Sequence, residues 1–288
     1  MEPTFGPNLE RRKEISEGLR RTEGGGFHVM GVLNITPDSF HAASRLASTE
    51  QAIQTGLTMW EDGAKWLDIG GESTRPGAEP VLPKEEIERV VPVIRGLREA
   101  NPSGLISIDT RRPEVARAAI EAGADLINDV SGLRDPLMVE LVLQTKCGVC
   151  IMHMQGEPGT MQEKPSYSNC TQEVSDQLLE TARALKSAGH PEELIALDPG
   201  IGFGKTLDHN IELLQNHNKL RGIEGFALLW GVSRKSMIGE LTGRSRTSDR
   251  LAGTLAIAAL AHYEGIDLLR VHDVREHVDM LNVLDALA

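Results

Sequence analysis

Apolar and polar positions alternate in blocks along this chain. From Phe27 onward, short apolar runs at 28–33, 66–69, 105–108, 126–128, 149–152, 194–197, 226–230 and 268–271 read as buried strands. Between them, helical spacing runs over 49–62, 83–100, 113–122, 137–146, 172–188, 208–220, 234–262 and 274–287, the seventh stretch broken within. Pro83 and Pro113 stand where helices accept proline at their first turn, and Glu85-Glu86 suit the helix dipole. Strands alternating with helices at this length predict an α/β fold, a single-domain (β/α)8 TIM barrel over 27–288. A doubly wound open sheet is the runner-up. That fold usually carries a glycine-rich phosphate loop after its first strand, and Asn34-Ile35-Thr36-Pro37 is not one. Residues 1–26 read as an N-terminal extension, with a charged helix from Leu9 to Arg21 broken by Gly24-Gly25-Gly26, either closing the barrel floor or mobile.

A weak internal repeat supports the barrel. Gly63, Gly123 and Gly265 each end a helical stretch, and a short link and a buried strand follow each. Five residues beyond each glycine stands a polar group: Asp68, Asn128 or Arg270. Two further on, at strand period, come Gly70, Val130 and His272. Polar residues also close the other strands: Asn34, Asp109, His153, Asp198 and Ser233. Helix capping accounts for some of these, but Arg270 and His272 are poor caps. Barrel enzymes draw their catalytic groups from the carboxyl ends of several strands, so the pattern predicts one central site. Its focus is Leu197-Asp198-Pro199-Gly200-Ile201-Gly202-Phe203-Gly204-Lys205, a buried strand ending on a carboxylate and opening onto a glycine-rich loop.

Composition narrows the chemistry. A formal charge of −12 argues against a nucleic-acid groove or an anionic membrane surface. No apolar run approaches a bilayer span, and Met1 to Gly26 is polar, so the expected location is the cytoplasm. Three cysteines do not make a disulfide framework, and Cys147 and Cys150 lead into a strand as small hydrophobes. No nucleophile elbow, H-E-x-x-H or phosphate-loop motif is present. The scattered histidines 28, 41, 190, 209, 217, 262 and 277 read as surface or helix residues rather than ligands. Carboxylates (Asp109, Asp198) and amides (Asn34, Asn128) suit the N–H edge of a flat nitrogenous ring, and Arg270, His272 and Arg75 suit an attached anion. A buried Asp109–Arg270 ion pair is the simpler alternative for those two residues.

These residues also resemble a known family. Met30 to Phe40, Asp68 to Gly77, Ile108-Asp109-Thr110, Ile127-Asn128-Asp129, Met152 to Gly156, Leu197 to Lys205, Ser233-Arg234-Lys235-Ser236 and Arg270-Val271-His272-Asp273 resemble the dihydropteroate synthases. The resemblance runs from about residue 28 to the C-terminus. It implies a homodimeric transferase of folate biosynthesis with Mg2+ as cofactor. The enzyme would condense p-aminobenzoate with 6-hydroxymethyl-7,8-dihydropterin diphosphate, giving 7,8-dihydropteroate and pyrophosphate. Carried over, Asp109, Asn128, Asp198 and Lys235 would bind the pterin, and Asn34 the metal. Arg270 and His272 would meet the diphosphate and act in catalysis with Lys235. Thr74, Arg75, Pro76, Phe203, Arg234 and Ser236 would line or support the arylamine side.

There are departures. His41-Ala42-Ala43-Ser44 replace the family's Ser-Asp-Gly-Gly turn, so the loop 38–45 is expected to behave differently. Ile201 stands where many relatives have Phe, leaving Phe203 as the aromatic wall. A pterin-binding methyltransferase would share the pterin residues, but has no reason to keep Ser73 to Gly77 or Ser233 to Ser236. A catalytically inactive pterin-binding relative would be expected to lack the diphosphate set, yet Asn34, Arg270 and His272 are all present.

Overall fold

The computed structural model describes residues 5–22, 24–35, 42–73, 81–157 and 159–287, with backbone alone over 42–47. Eight parallel strands close in sequential order: β1 (His28–Asn34), β2 (Trp66–Gly70), β3 (Leu105–Asp109), β4 (Leu126–Asp129), β5 (Gly148–Met152), β6 (Ile195–Asp198), β7 (Ala227–Trp230) and β8 (Leu268–Val271). The β1–β8 ladder, from His28↔Leu268 to Gly31↔Val271, completes the barrel. No open sheet edge remains, so the doubly wound alternative is excluded.

Period-2 alternation divides each strand between two apolar layers. Leu67, Ile69, Ile106, Ile108, Ile127, Val149, Leu197 and Leu269 face outward into the shell of helices. Met30, Trp66, Leu105, Leu126, Cys150, Ala196, Leu229 and Leu268 form a second cluster inside the barrel. Every strand contributes to that inner cluster, and Cys150 behaves as the small hydrophobe expected of it.

The shell comprises α2 (Ala42–Glu61), α3 (Pro83–Ala100), α4 (Pro113–Ala122), α5 (Pro136–Thr145), α6 (Cys170–Ser187), α7 (Leu207–Gln215), α8 (Ser236–Thr242), α9 (Leu251–Tyr263) and α10 (Val274–Leu287). The repeat glycines do what the sequence implied. Gly63, Gly123 and Gly265 all adopt positive φ, and the Gly123 N–H closes α4 on the carbonyls of Ala119 and Ile120. The stretch 234–262 is broken, as expected: Gly243 (φ 69°) caps α8 and a 3-10 turn at Thr247–Arg250 precedes α9. One boundary differs from expectation. The helix predicted from residue 49 starts at Ala42. Ala43 in place of one of the family's glycines favours helix there by roughly 1 kcal/mol. Residues 38–41 of the departing loop lie outside the described residues.

The first helix, α1 (Leu9–Leu19), sits at the strand starts. Ile15 and Leu19 are fully buried in the barrel-interior cluster. The Trp66 indole N–H donates to the Gly18 carbonyl at 2.8 Å. Arg11 pairs with Asp125 at 2.7 Å, and Asp125 also holds Arg98 and the Ile106 N–H. The floor is thus sealed with side chains and pinned at its rim.

His217, His262 and His277 lie on helical segments, as expected, whereas His190 lies on neither surface nor helix. His190, His217, His262 and His277 are buried, His217 packing edge-on against Trp230 at 5.6 Å. Burial first, and then Lys146 and Arg12, lower His190 to about 4. The unfolded chain takes up this proton near pH 6.5, whereas the folded protein refuses it until about pH 4. The contribution of neutral His190 is therefore complete above pH 6.5 and lost as pH falls through that window. His190→Leu should reduce the loss of unfolding free energy between pH 7 and 5 by roughly 2 kcal/mol, measured by urea titration. An identical pH slope in the variant refutes this role.

Candidate active site

The interior face changes character one step up each strand. Two residues beyond Trp66, Leu105, Leu126, Ala196 and Leu268 come Asp68, Ser107, Asn128, Asp198 and Arg270. Two further along β3 is Asp109, and on the β8 line, His272. Strand period and barrel closure therefore collect these groups above the apolar plug. Asp68 is fully buried and accepts from Ser107 Oγ (2.5 Å), Asn128 Nδ2 (3.1 Å) and Arg270 Nε (2.5 Å). Arg270 also donates through Nη2 to Asp109 at 2.6 Å. The alternative of an Asp109–Arg270 pair is thus present, widened to a carboxylate–guanidinium–carboxylate bridge. Burial opposes the Arg270 charge, but Asp68 and Asp109 outweigh it and hold its pKa above the usual range. Burial raises the Asp109 carboxyl, against the pull of Arg270. Asn128 Oδ1 is buried with no hydrogen-bond partner among the described residues.

The loop after β6 is held by its neighbours. Its glycines 200, 202 and 204 all have positive φ, and two of them serve loop-to-loop packing. A Cβ on Gly200 would fall on the His153 carbonyl, and one on Gly204 would stand 2.5 Å from the Gln155 carbonyl. The backbone carbonyls are all engaged. Lys205 Nζ donates to Gly200 (3.1 Å) and Phe203 (3.0 Å), Gln162 to Gly202 (2.5 Å), Tyr167 to Gly204 (2.8 Å) and Lys235 to Ile201. Lys205, 3% exposed, also reaches the His153 carbonyl and Nδ1. Desolvation lowers it to about 7, and His153 beside it to about 3. Lys205 therefore ties the β5 and β6 loops together. The sequence quoted this lysine within a motif and gave it no role.

Asp198 ends β6 with 5% exposure, accepting the Gly200 N–H at 2.7 Å. Burial raises its pKa, with Lys235 and that N–H opposing. Lys235 precedes α8, and its Nζ lies 4.1 Å from the centre of the Phe203 ring. Burial lowers it to about 8, against Asp198. Phe203 rests on a cluster of Val130, Met152, Met154 and Met161. Arg234 has φ 58° and pairs with Asp273 through Nε at 2.8 Å, while Ser236 is exposed at the start of α8. His272 Nδ1 meets Ser233 Oγ at 3.0 Å. Asn34 is exposed at the end of β1, its Oδ1 across Gly70 from an Asp109 oxygen. Thr74, Arg75 and Pro76 lie outside the described residues.

The sequence reading also missed the base of the β2 loop. Glu72 accepts from Val81 N at 3.1 Å, closing the ends of that loop on each other. It pairs with Arg112 at 2.8 Å, which in turn holds Glu86, 1% exposed. Glu86 was read only as a favourable charge in a first helical turn. Its burial follows from Gly71, where a Cβ would lie 2.9 Å from the Glu86 side chain.

The chemistry follows from this inventory. A flat ring entering the barrel meets carboxylates at Asp109 and Asp198 and an amide oxygen at Asn128. A second planar group finds the Phe203–Lys235 wall nearer the mouth. Lys205→Met keeps the side-chain bulk but strips the carbonyls of His153, Gly200 and Phe203 of its ammonium, at about 1–3 kcal/mol for each group left unsatisfied. The expected outcome is a fall of at least ~2 kcal/mol in unfolding free energy, with faster proteolysis within residues 153–205. Wild-type stability and cleavage would show that the lysine is not the tie.

Comparison with known proteins agrees with this geometry. The family described as pterin binding enzyme matches residues 30–272. The dihydropteroate synthase of Escherichia coli K12 is 43% identical over 259 residues, covering 90% of this chain and 91% of its own. The Xanthomonas albilineans dihydropteroate synthase solved with 4-aminobenzoic acid is 43% identical with a TM-score of 0.83, covering 92% of this chain and 94% of that one. The same enzyme in complex with 7,8-dihydropteroate superposes with a TM-score of 0.80 at 40% identity, over 92% and 95% of the two chains. Across nearly its whole length, this chain belongs to the pterin-binding enzyme family and, within it, to the dihydropteroate synthases.

Proposed function

We propose that this chain joins p-aminobenzoate to 6-hydroxymethyl-7,8-dihydropterin diphosphate, forming 7,8-dihydropteroate and releasing pyrophosphate. The observation that carries this reading is the unpartnered Asn128 Oδ1, set among Asp109 and Asp198 on the interior tier. A pterin offers the N–H edge such a tier lacks. Solved relatives hold 4-aminobenzoic acid in one case and 7,8-dihydropteroate in another.

In the reaction, the bond between the exocyclic carbon and the diphosphate oxygen breaks, and its electron pair leaves with pyrophosphate. The electron-rich dihydropterin stabilises the carbocation. The neutral arylamine nitrogen attacks that carbon and loses a proton, so no nucleophilic side chain is required. Asp198, Asn128 and Asp109 orient the ring. Arg270 and His272 face the leaving group, where positive charge is worth most in a site removed from water. Ser233 fixes the His272 ring through Nδ1. Lys235 and Phe203 flank the approach of the arylamine.

Asn34 suits Mg2+. It is a hard oxygen donor at the open end of β1, and Mg2+ characteristically takes one or two protein oxygens, with substrate phosphates and water supplying the rest. Among the described residues no group of three or more His, Cys, Asp or Glu side chains could hold a metal alone. When bound there with the diphosphate, the ion would offset the charge of the leaving group.

The working form is read as a cytoplasmic homodimer. No helix among the described residues is long and apolar enough to cross a membrane. α9, LAGTLAIAALAHY, carries no Asp, Glu, Lys or Arg, yet Ala252, Ala256, Leu260 and Tyr263 are exposed along one side. An uncharged exposed helix face suits a second copy of itself packed by a two-fold axis. Leu260→Arg should convert the dimer to a monomer in sedimentation, whereas an unchanged mass places the interface elsewhere.

The central test is pyrophosphate release by the protein with Mg2+ and the pterin diphosphate, with and without p-aminobenzoate. Release that depends on the arylamine and yields dihydropteroate is expected. Asp198→Ala should weaken pterin binding more than ~10-fold, since a charge-assisted hydrogen bond is worth about 1.5–3 kcal/mol. Release at the uncatalysed rate, with the pterin still bound, would leave a binding protein without the activity.

A further inference from the structure

Asp68 is the one carboxylate of the interior tier with no exposed surface. It cannot touch a ligand, yet it takes donors from three other strands. Ser107 on β3 holds Oδ1, while Asn128 on β4 and Arg270 on β8 share Oδ2. This arrangement decides how two ligand-facing groups present themselves. The Asn128 amide must turn Nδ2 toward Asp68, because the reverse would set a carbonyl oxygen against a carboxylate. Its other face is therefore an acceptor, and that oxygen is the buried atom without a partner. The Arg270 plane is fixed in the same way, with Nε on Asp68 and Nη2 on Asp109.

We propose that Asp68 is a specificity-determining positioning residue, which holds Asn128 as an acceptor and so selects ligand rings that donate an N–H at that edge. Asp68 acts through Asn128 and Arg270 and makes no contact of its own with substrate. The inference rests on the reading of the tier as a pterin site. It is tested by binding as well as turnover, so that the two can fail separately.

Asp68→Val stays close to the volume of the side chain. It removes the oxygen that Asn128 Nδ2 and Arg270 Nε share, so nothing holds that amide with its oxygen toward the ligand. Titration calorimetry with 6-hydroxymethylpterin should show at least 10-fold weaker binding, and KM for the pterin diphosphate should rise in parallel. KM for p-aminobenzoate should stay within 3-fold, a split that general loosening of the barrel would not give. Unchanged pterin affinity, or equal rises in both KM values, overturns the proposal. Ser107→Ala guards against misfolding of the first variant. It frees one Asp68 oxygen without touching Asn128, and at least 3-fold weaker pterin binding at constant arylamine KM is expected. Wild-type pterin affinity in that variant also overturns the proposal. If calorimetry gives the expected losses while no pyrophosphate is released by the wild-type protein, the positioning role stands and the reaction assignment falls.

Discussion

A guanidinium inside the barrel is the condition for everything above it. Asp68, fully buried, and Asp109, partly so, could not stand within one ring of strands without a cation between them, and Arg270 supplies it at 2.5 and 2.6 Å. Removing one member leaves the remaining charge unpaired, which costs about 3–5 kcal/mol in a fully buried set and less in this partly exposed one. The arginine comes from the last strand and the carboxylates from the second and third, so the pair forms only when the barrel closes. The same contacts that complete the fold also set the electrostatics of the site.

Above this bridge, the site is preorganised by hydrogen bonds to backbone. The carbonyls from Gly200 to Gly204 are all engaged by side chains, two of them by Lys205. A loop whose acceptors are spoken for has few alternative conformations, so Phe203 and Asp198 are held at fixed places before any ligand arrives. Gly200 and Gly204 hold positive φ within this loop. Their first duty is contact with the neighbouring β5 loop, and the shape offered to a ligand follows from that.

Much of this was legible in the amino-acid sequence. Buried parallel strands are near-continuous apolar runs, so each of the eight was located to within a residue or two at either end. Polar residues closing those runs marked the mouth of the barrel and named Asp109, Asn128, Asp198 and Arg270. What stayed hidden were partnerships across long stretches of chain. Asp68 and Arg270 are 202 residues apart, and no local pattern says that a strand-end aspartate will be wholly buried and serve other side chains. Lys205 was opaque for a related reason: its partners are mostly backbone carbonyls, which every residue possesses. The early start of α2 was latent in Ala43-Ser44, where the missing glycines remove the reason for a turn.

The helix under the barrel carries a consequence for assembly. Ile15 packs where a side chain on Gly148 would stand 2.8 Å away, and its cluster includes Leu194 and Leu268. This helix therefore leaves the ribosome before most of the chain that makes its berth has been synthesised. It must wait, amphipathic and unmatched, until the eighth strand arrives. Sealing the floor and closing the cylinder then become a single late event, dominated by contacts of long sequence separation, the kind that slows folding.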